Sequence, residues 1–213
     1  MIVTAINGSP KGKNSNTEVM LASLLEGFRE NGDIVKNITL SEFDINYCSG
    51  CYSCWFKTPG ICIKKDDMST IISEMDGSDI IILGSPLYFN NLSGTLKVFI
   101  DRLTVCGGSP HNVEKKEKVN PKYIMVSNCG FPMIKQFDVV SLWVKHFCQL
   151  LQTQLLAEFY TPHGKVLTTA TEEQLASKNS YLNFLKECAI EISKVGELSE
   201  EKKERTIKSL LEF

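Results

Sequence analysis

Asp79-Ile80-Ile81-Ile82-Leu83-Gly84 is apolar at every position between an aspartate and a glycine. A strand of this kind has no face to offer to water, so it must lie inside a sheet that is covered on both sides. Parallel sheets meet that demand, because each crossover connection packs a helix onto one face. The rest of the chain supplies the parts. Residues 2–6 form another apolar run, cut off by Gly8, Pro10 and Gly12 and followed by Met20, Leu21, Leu24, Leu25 and Phe28 at helical spacing. Residues 34–40, 123–127 and 154–160 read as three more strands. Helical stripes fall between or after them at Met68, Ile71, Ile72 and Met75; at Leu96, Phe99, Ile100 and Leu103; and at Val140, Trp143, Val144, Phe147 and Leu151. Asp66-Asp67 reads as the cap of the first of these. Thr171-x-x-Gln174 opens a last long helix carrying Tyr181, Leu185, Cys188, Ile192 and Val195. The alternation predicts an α/β fold, a doubly wound five-stranded parallel sheet with helices on both faces.

The 213 residues suit one domain, 1–213, with a cysteine-rich loop at 43–66 and a tail helix at about 199–211. Ser199 would cap that tail, and its few apolar residues, Ile207, Leu210 and Leu211, offer a face to a second subunit. A net charge of −2 gives no pull toward nucleic acid or an anionic membrane, and counts against a small acidic electron shuttle. Met1-Ile2-Val3 leads into a core strand without a basic, cleavable segment, and no apolar run is long enough to span a bilayer. A cytoplasmic protein is expected, in which eight cysteines stay reduced. The mixed-sign run Glu114-Lys115-Lys116-Glu117-Lys118 reads as a solvated surface excursion.

A doubly wound sheet binds its ligand beyond the carboxyl ends of the strands, where strand order reverses. Three loops would converge there, at 9–17, 85–91 and 127–132. The first carries Ser9, Ser15 and Thr17 hydroxyls, Asn14 and Asn16 amides, and Lys11 or Lys13, ahead of a helix N-terminus that favours a phosphate. It has neither the spacing of a P-loop nor G-x-G-x-x-G, which leaves a cradle for one phosphate monoester. The plainer reading is that Ser15-x-x-Glu18 is only a capping box. In the second loop Tyr88 and Phe89 offer a flat apolar wall and Asn90 an amide edge, unless the aromatics are simply tucked into the core. In the third, Gly130 lets the backbone approach a planar ring; a plain turn explains it equally well.

Together these loops resemble the NADPH-dependent FMN reductase branch of the flavodoxin superfamily, and most of all the iron–sulfur flavoproteins. The matching residues are Asn7-Gly8-Ser9-Pro10-Lys11 with Asn16-Thr17, then Gly84-Ser85-Pro86-Leu87-Tyr88, then Gly94-x-Leu96-Lys97-x-x-Ile100-Asp101-Arg102. They cover about residues 1–132; the C-terminal third matches only in general pattern. The resemblance implies a flavodoxin-like strand order of 2-1-3-4-5. It implies an FMN phosphate held by Ser9, Lys11, Asn16 and Thr17, in the cradle that Asn14 and Ser15 complete. Pro86, Leu87, Tyr88, Phe89 and Asn90 would contact the ring, with Asn128 and Gly130 at its far edge. Asp101 and Arg102 are expected to form a structural ion pair.

Cys48-x₂-Cys51-x₂-Cys54, with Cys62 following after seven intervening residues, can wrap thiolates around a cuboidal cluster, and the resemblance extends to this compact pattern. Three fates stay open for it: a [4Fe–4S] cluster, free thiols with or without a redox pair, or zinc. Tyr52, Trp55 and Phe56 would shield a cluster, cover a flavin or pack in the core. Cys106, Cys129, Cys148 and Cys188 read as core thiols. His111, His146 and His163 have no metal-ligand spacing.

The expected function is an FMN-dependent NAD(P)H oxidoreductase passing electrons to a quinone, a flavin or a redox protein, through the [4Fe–4S] cluster where the loop holds one, in which the flavin and no side chain carries the chemistry. The resemblance adds a homodimer or homotetramer. The alternative is a non-enzymatic flavodoxin-like electron carrier.

Overall fold

A computed structural model describes residues 1–107 and 120–213. Five parallel strands, β1 (Ile2–Asn7), β2 (Ile34–Thr39), β3 (Ile80–Pro86), β4 (Lys122–Asn128) and β5 (Leu155–Thr161), form one sheet in the order β2-β1-β3-β4-β5. The isoleucine run is its middle strand. Ile80 and Ile82 face one core and Ile81 and Leu83 the other, so the period-2 alternation of β3 feeds both layers. Of the helices α1 (Asn16–Glu30), α2 (Ser53–Phe56), α3 (Met68–Met75), α4 (Gly94–Arg102), α5 (Asp138–Leu150), α6 (Val166–Thr169), α7 (Glu172–Val195) and α8 (Glu200–Arg205), α1 and α7 cover the first face and α3, α4 and α5 the second.

α1 and α7 approach closely at Gly27. A Cβ there would lie 2.3 Å from the Lys186 carbonyl oxygen and 2.8 Å from Ala189 Cβ. Gly27→Ala would gain about 1 kcal/mol of helix propensity, against an overpacking cost of about 1–3 kcal/mol. We expect a net loss in urea unfolding, and a stabilised variant would contradict the tight crossing.

Three expectations are corrected. Val195, placed on the buried stripe, is 70% exposed, because α7 ends at Gly196 with φ 89°. Tail helix α8 stops at Arg205, and the Ser199 hydroxyl makes no capping bond. Beyond α8 the chain returns to its own domain: Leu210 is buried, Phe213 packs against Tyr181 and Phe184 at 5.2 and 5.0 Å, and Arg205 lies over both phenylalanines. The charged run 114–118 and His111 lie outside the described residues.

Candidate functional site

The loop after β1 is built around Asn7, which is fully buried. Its Nδ2 donates to the Gly12 carbonyl (3.2 Å) and to Glu18 (2.7 Å), and its Oδ1 accepts the Ser9 N–H (2.9 Å). Ser15 caps α1 by accepting the Glu18 N–H (3.1 Å) and donates to the Gly12 carbonyl (2.6 Å). The capping box is therefore only half made. The Glu18 carboxylate takes Asn7 and Asn37 instead of turning back to the cap.

What remains for a ligand is specific. Ser9 Oγ accepts the Lys11 N–H and Thr17 Oγ1 accepts the Asn128 amide (3.0 Å), so each hydroxyl keeps its proton to donate. Among the described residues neither hydroxyl donates to protein, and the N–H groups of Asn16 and Thr17 find no partner, as the first turn of a helix requires. Lys13 pairs with Glu42 at 2.7 Å, and Lys11 and Asn14 are exposed. The donor set fits a phosphate monoester. Asn16 Oδ1 accepts from Thr168 at 2.7 Å, which brings α6 to the cradle, a contact no local motif announces.

The three loops meet. Asn128 crosses from β4 to Thr17. Ser93 caps α4, donates to the Gly8 carbonyl (2.6 Å) and gives its N–H to Ser85 Oγ (2.9 Å). Gly164 packs against Asn128, and its N–H donates to Cys129 O. Tyr88 and Phe89 are not tucked into the core: they are 45% and 106% exposed. Residues 88–91 form a tight turn, with Tyr88 N–H to Asn91 O (2.9 Å) and Asn91 N–H to Tyr88 O (3.0 Å). Phe89 and Asn90 sit at φ 48° and 59°. A phenylalanine there is strained by about 1 kcal/mol or more. Phe89→Gly is expected to raise the melting temperature while weakening FMN or acceptor binding. An unchanged affinity would remove Phe89 from the site. Pro86 and Leu87 are half-buried beside the turn, and Gly130 is exposed.

The cysteine loop lies elsewhere on the second face. Cys48 and Cys51 are exposed, Cys54 and Cys62 half-buried, and all four are unbridged. Among the described residues no three His, Cys, Asp or Glu side chains are gathered as a metal site. The four thiols share one short loop segment, residues 48–62. Hydrogen bonding from Ser53 lowers the Cys51 thiol pKa, whereas burial raises that of Cys54. Tyr52, Trp55 and Phe56 pack on one another within the loop; Tyr52 and Phe56 are 52% and 61% exposed, so they are not core. The Trp55 indole donates to Thr104 O at 2.8 Å. Cys106, expected in the core, is exposed beside that contact. Cys129, Cys148 and Cys188 are core thiols, and burial pushes Cys148 and Cys188 up to about 11 and about 12.

The expected Asp101–Arg102 pair does not form. Asp101 pairs with Lys97 one turn away (2.6 Å), while Arg102 grips Asp66 through two bonds (2.6 and 2.9 Å) with both side chains all but fully buried. Asp66 also receives the Asn46 and Met68 N–H groups, which makes it far more than a helix cap. His146 is exposed on α5, and His163 Nδ1 bonds Ser209 Oγ at 3.1 Å, so neither stands in a metal arrangement.

A parallel sheet of this order, with a hydroxyl-lined cradle after β1 and two more loops at its switch point, has the architecture of flavodoxin-like mononucleotide-binding proteins. The chain belongs to the NADPH-dependent FMN reductase family, which it matches over residues 1–163. It is 34% identical over 132 residues to an iron–sulfur flavoprotein of Archaeoglobus fulgidus, covering 62% of this chain and 57% of that one. It is 27% identical over 184 residues to the FMN-dependent NADH:quinone oxidoreductase of Erythrobacter litoralis, covering 81% and 92%. The chain spans about half the length of the iron–sulfur flavoproteins it matches. Its fold is similar to that of an FMN-dependent NADH-azoreductase from Bacillus anthracis, solved in complex with FMN, with a TM-score of 0.64, 16% identity, and coverage of 91% of this chain and 100% of that one. No described helix is long and apolar enough to cross a membrane.

Proposed function

We propose that this chain is an FMN-dependent NAD(P)H oxidoreductase that passes electrons to a quinone, a free flavin or another redox protein. The observation that carries the reading is the meeting of three loops at the carboxyl edge of β1, β3 and β4, joined by the Asn128–Thr17 bond. Ser9 and Thr17 donate their hydroxyl protons to the phosphate, the Asn16 and Thr17 N–H groups join them, and Lys11 supplies charge within the cradle that Asn14 and Ser15 complete. Pro86, Leu87, Tyr88, Phe89 and Asn90 line the ring, with Asn128 and Gly130 at its far edge. When bound, FMN supplies the hydride and single-electron chemistry, so no acid–base side chain is required.

Cys48, Cys51, Cys54 and Cys62 are the candidate ligands of a [4Fe–4S] cluster. Their spacing and the names of the relatives support this, and the loop tip would have to draw together to bind it. The eight free thiols suit a reducing compartment such as the cytoplasm. A homodimer or homotetramer is expected, and light scattering that finds only monomer removes it.

The test is FMN, iron and acid-labile sulfide content of anaerobically purified protein, followed by NADH and NADPH oxidation with a quinone acceptor. FMN with rapid turnover supports the enzyme. Bound FMN with slow turnover but fast exchange with ferredoxin points to a carrier. Protein that neither retains nor binds FMN overturns the reading of all three loops.

A further inference from the structure

We infer that Arg102 is the positioning residue of the cysteine loop: its guanidinium clasps the two ends of that loop, at Asn46 and Asp66, and holds the four thiols against the end of α4 whether or not a metal binds them. This goes beyond the flavin reading and does not depend on it.

The loop is closed at its neck and open at its tip. Arg102 donates to the Asn46 carbonyl (2.6 Å) on the entering strand of chain and to both Asp66 oxygens (2.6 and 2.9 Å) on the leaving one. The two ends also hold each other. Asn46 gives its N–H (3.1 Å) and side-chain amide (3.3 Å) to Asp66, Asp44 gives its N–H to Asp67 (2.7 Å), and Asp67 returns its N–H to Asp44 O (3.0 Å). All four cysteines lie between these ends, and the tip touches the domain again where Trp55 meets Thr104. Only a planar fork reaches a carbonyl and both carboxylate oxygens at once; an ammonium is a point charge.

One more observation ties the clasp to the thiols. Arg102 Nε is buried with no hydrogen-bond partner among the described residues, and Cys62 lies within electrostatic reach of the same guanidinium. A buried donor of a charged group is costly to leave unmade, and the Cys62 side chain, which already interacts with this guanidinium, is the acceptor at hand.

The test compares full-length, reduced, metal-free wild type with Arg102→Met, Arg102→Lys and Asp66→Asn. Amide hydrogen exchange is read over residues 44–67 and over the sheet. In wild type the Asp44, Asn46 and Asp67 amides are expected to exchange slowly. In Arg102→Met and Asp66→Asn they speed up at least about 10-fold with the β1 and β3 amides unchanged, and Arg102→Lys fails to restore protection. Asp66→Asn, nearly isosteric, serves if Arg102→Met does not fold. Unchanged loop exchange in the folded variants, or full protection with lysine, overturns the clasp. A second arm titrates Co²⁺ anaerobically and reads the absorption of tetrahedral, thiolate-bound metal; Arg102→Met is expected to bind about 10–100-fold more weakly, and equal binding overturns the role. If wild type gives no such absorption while the exchange pattern holds, the clasp stands and the cluster reading falls.

Discussion

Gly8→Ala is expected to weaken FMN binding about 100-fold, a loss of about 2.7 kcal/mol, and to lower stability at the same time. An added Cβ would stand 2.5 Å from Leu96 Cβ and 3.0 Å from the Gly84 carbonyl oxygen. Neither neighbour is the free end of a flexible side chain, so α4 and the cradle must separate. Separation breaks the Ser93–Gly8 bond and strains the Gly8–Gly84 backbone bond (2.8 Å). Each such bond is worth about 1 kcal/mol net, and overpacking adds about 1–3 kcal/mol. Calorimetric titration of apoprotein with FMN, beside thermal unfolding, measures both effects. Wild-type affinity with an unchanged melting temperature would show that α4 does not hold the cradle in place. Gly130→Ala separates the two contributions. Among the described residues, no atom beyond its own chain neighbours lies within 4 Å of its added Cβ, so an FMN loss there with unchanged stability reports contact with the ring itself.

The difference between these glycines marks what a sequence can disclose. The sheet was legible because its signal is local and repeated: β3 shows continuous apolarity and α1 a clean stripe, and both occur where the pattern places them. The three loops were legible because a doubly wound sheet dictates where its ligand goes. The contacts that join the loops were not. Thr17 meets Asn128 across 111 residues, Gly8 meets Ser93 across 85, and Asp66 meets Arg102 across 36. Spacing carries no information about such partners, so Glu18 read as half of a capping box, Asp66 as a cap, and Arg102 as the partner of its own neighbour. The aromatics of the 88–91 turn stayed open between a ring wall and the core for another reason. Apolar residues suit either place, and only the positive φ values of Phe89 and Asn90 reveal a turn that holds its rings outward.

Acid is expected to open the cysteine loop before it unfolds the sheet. The Arg102 guanidinium, hydrogen-bonded to Asp66, holds that carboxyl at about 2 against the opposing effect of burial. A free aspartate titrates near 3.9. A carboxylate whose pKa is depressed in the folded state contributes stability that is fully present above the unfolded pKa and is lost as pH falls through the folded one. The window is therefore about pH 4 down to about pH 2, and the contribution at neutral pH is about 2 kcal/mol. Solvent screening takes little from it, because the Asp66 and Arg102 side chains are 1% and 2% exposed. Trp55 reports the loop, since its indole bonds Thr104 only while the loop is docked. In a Trp143→Phe background, which leaves Trp55 as the single tryptophan of the two, its emission is expected to shift below about pH 4 while far-ultraviolet dichroism stays native. Asp66→Asn has no such carboxylate and is expected to show the undocked signal at neutral pH. A Trp55 signal that stays flat to pH 2, or moves only together with the dichroism, would mean that the sheet and the loop fail as one unit and that the Asp66–Arg102 pair does not hold the loop separately.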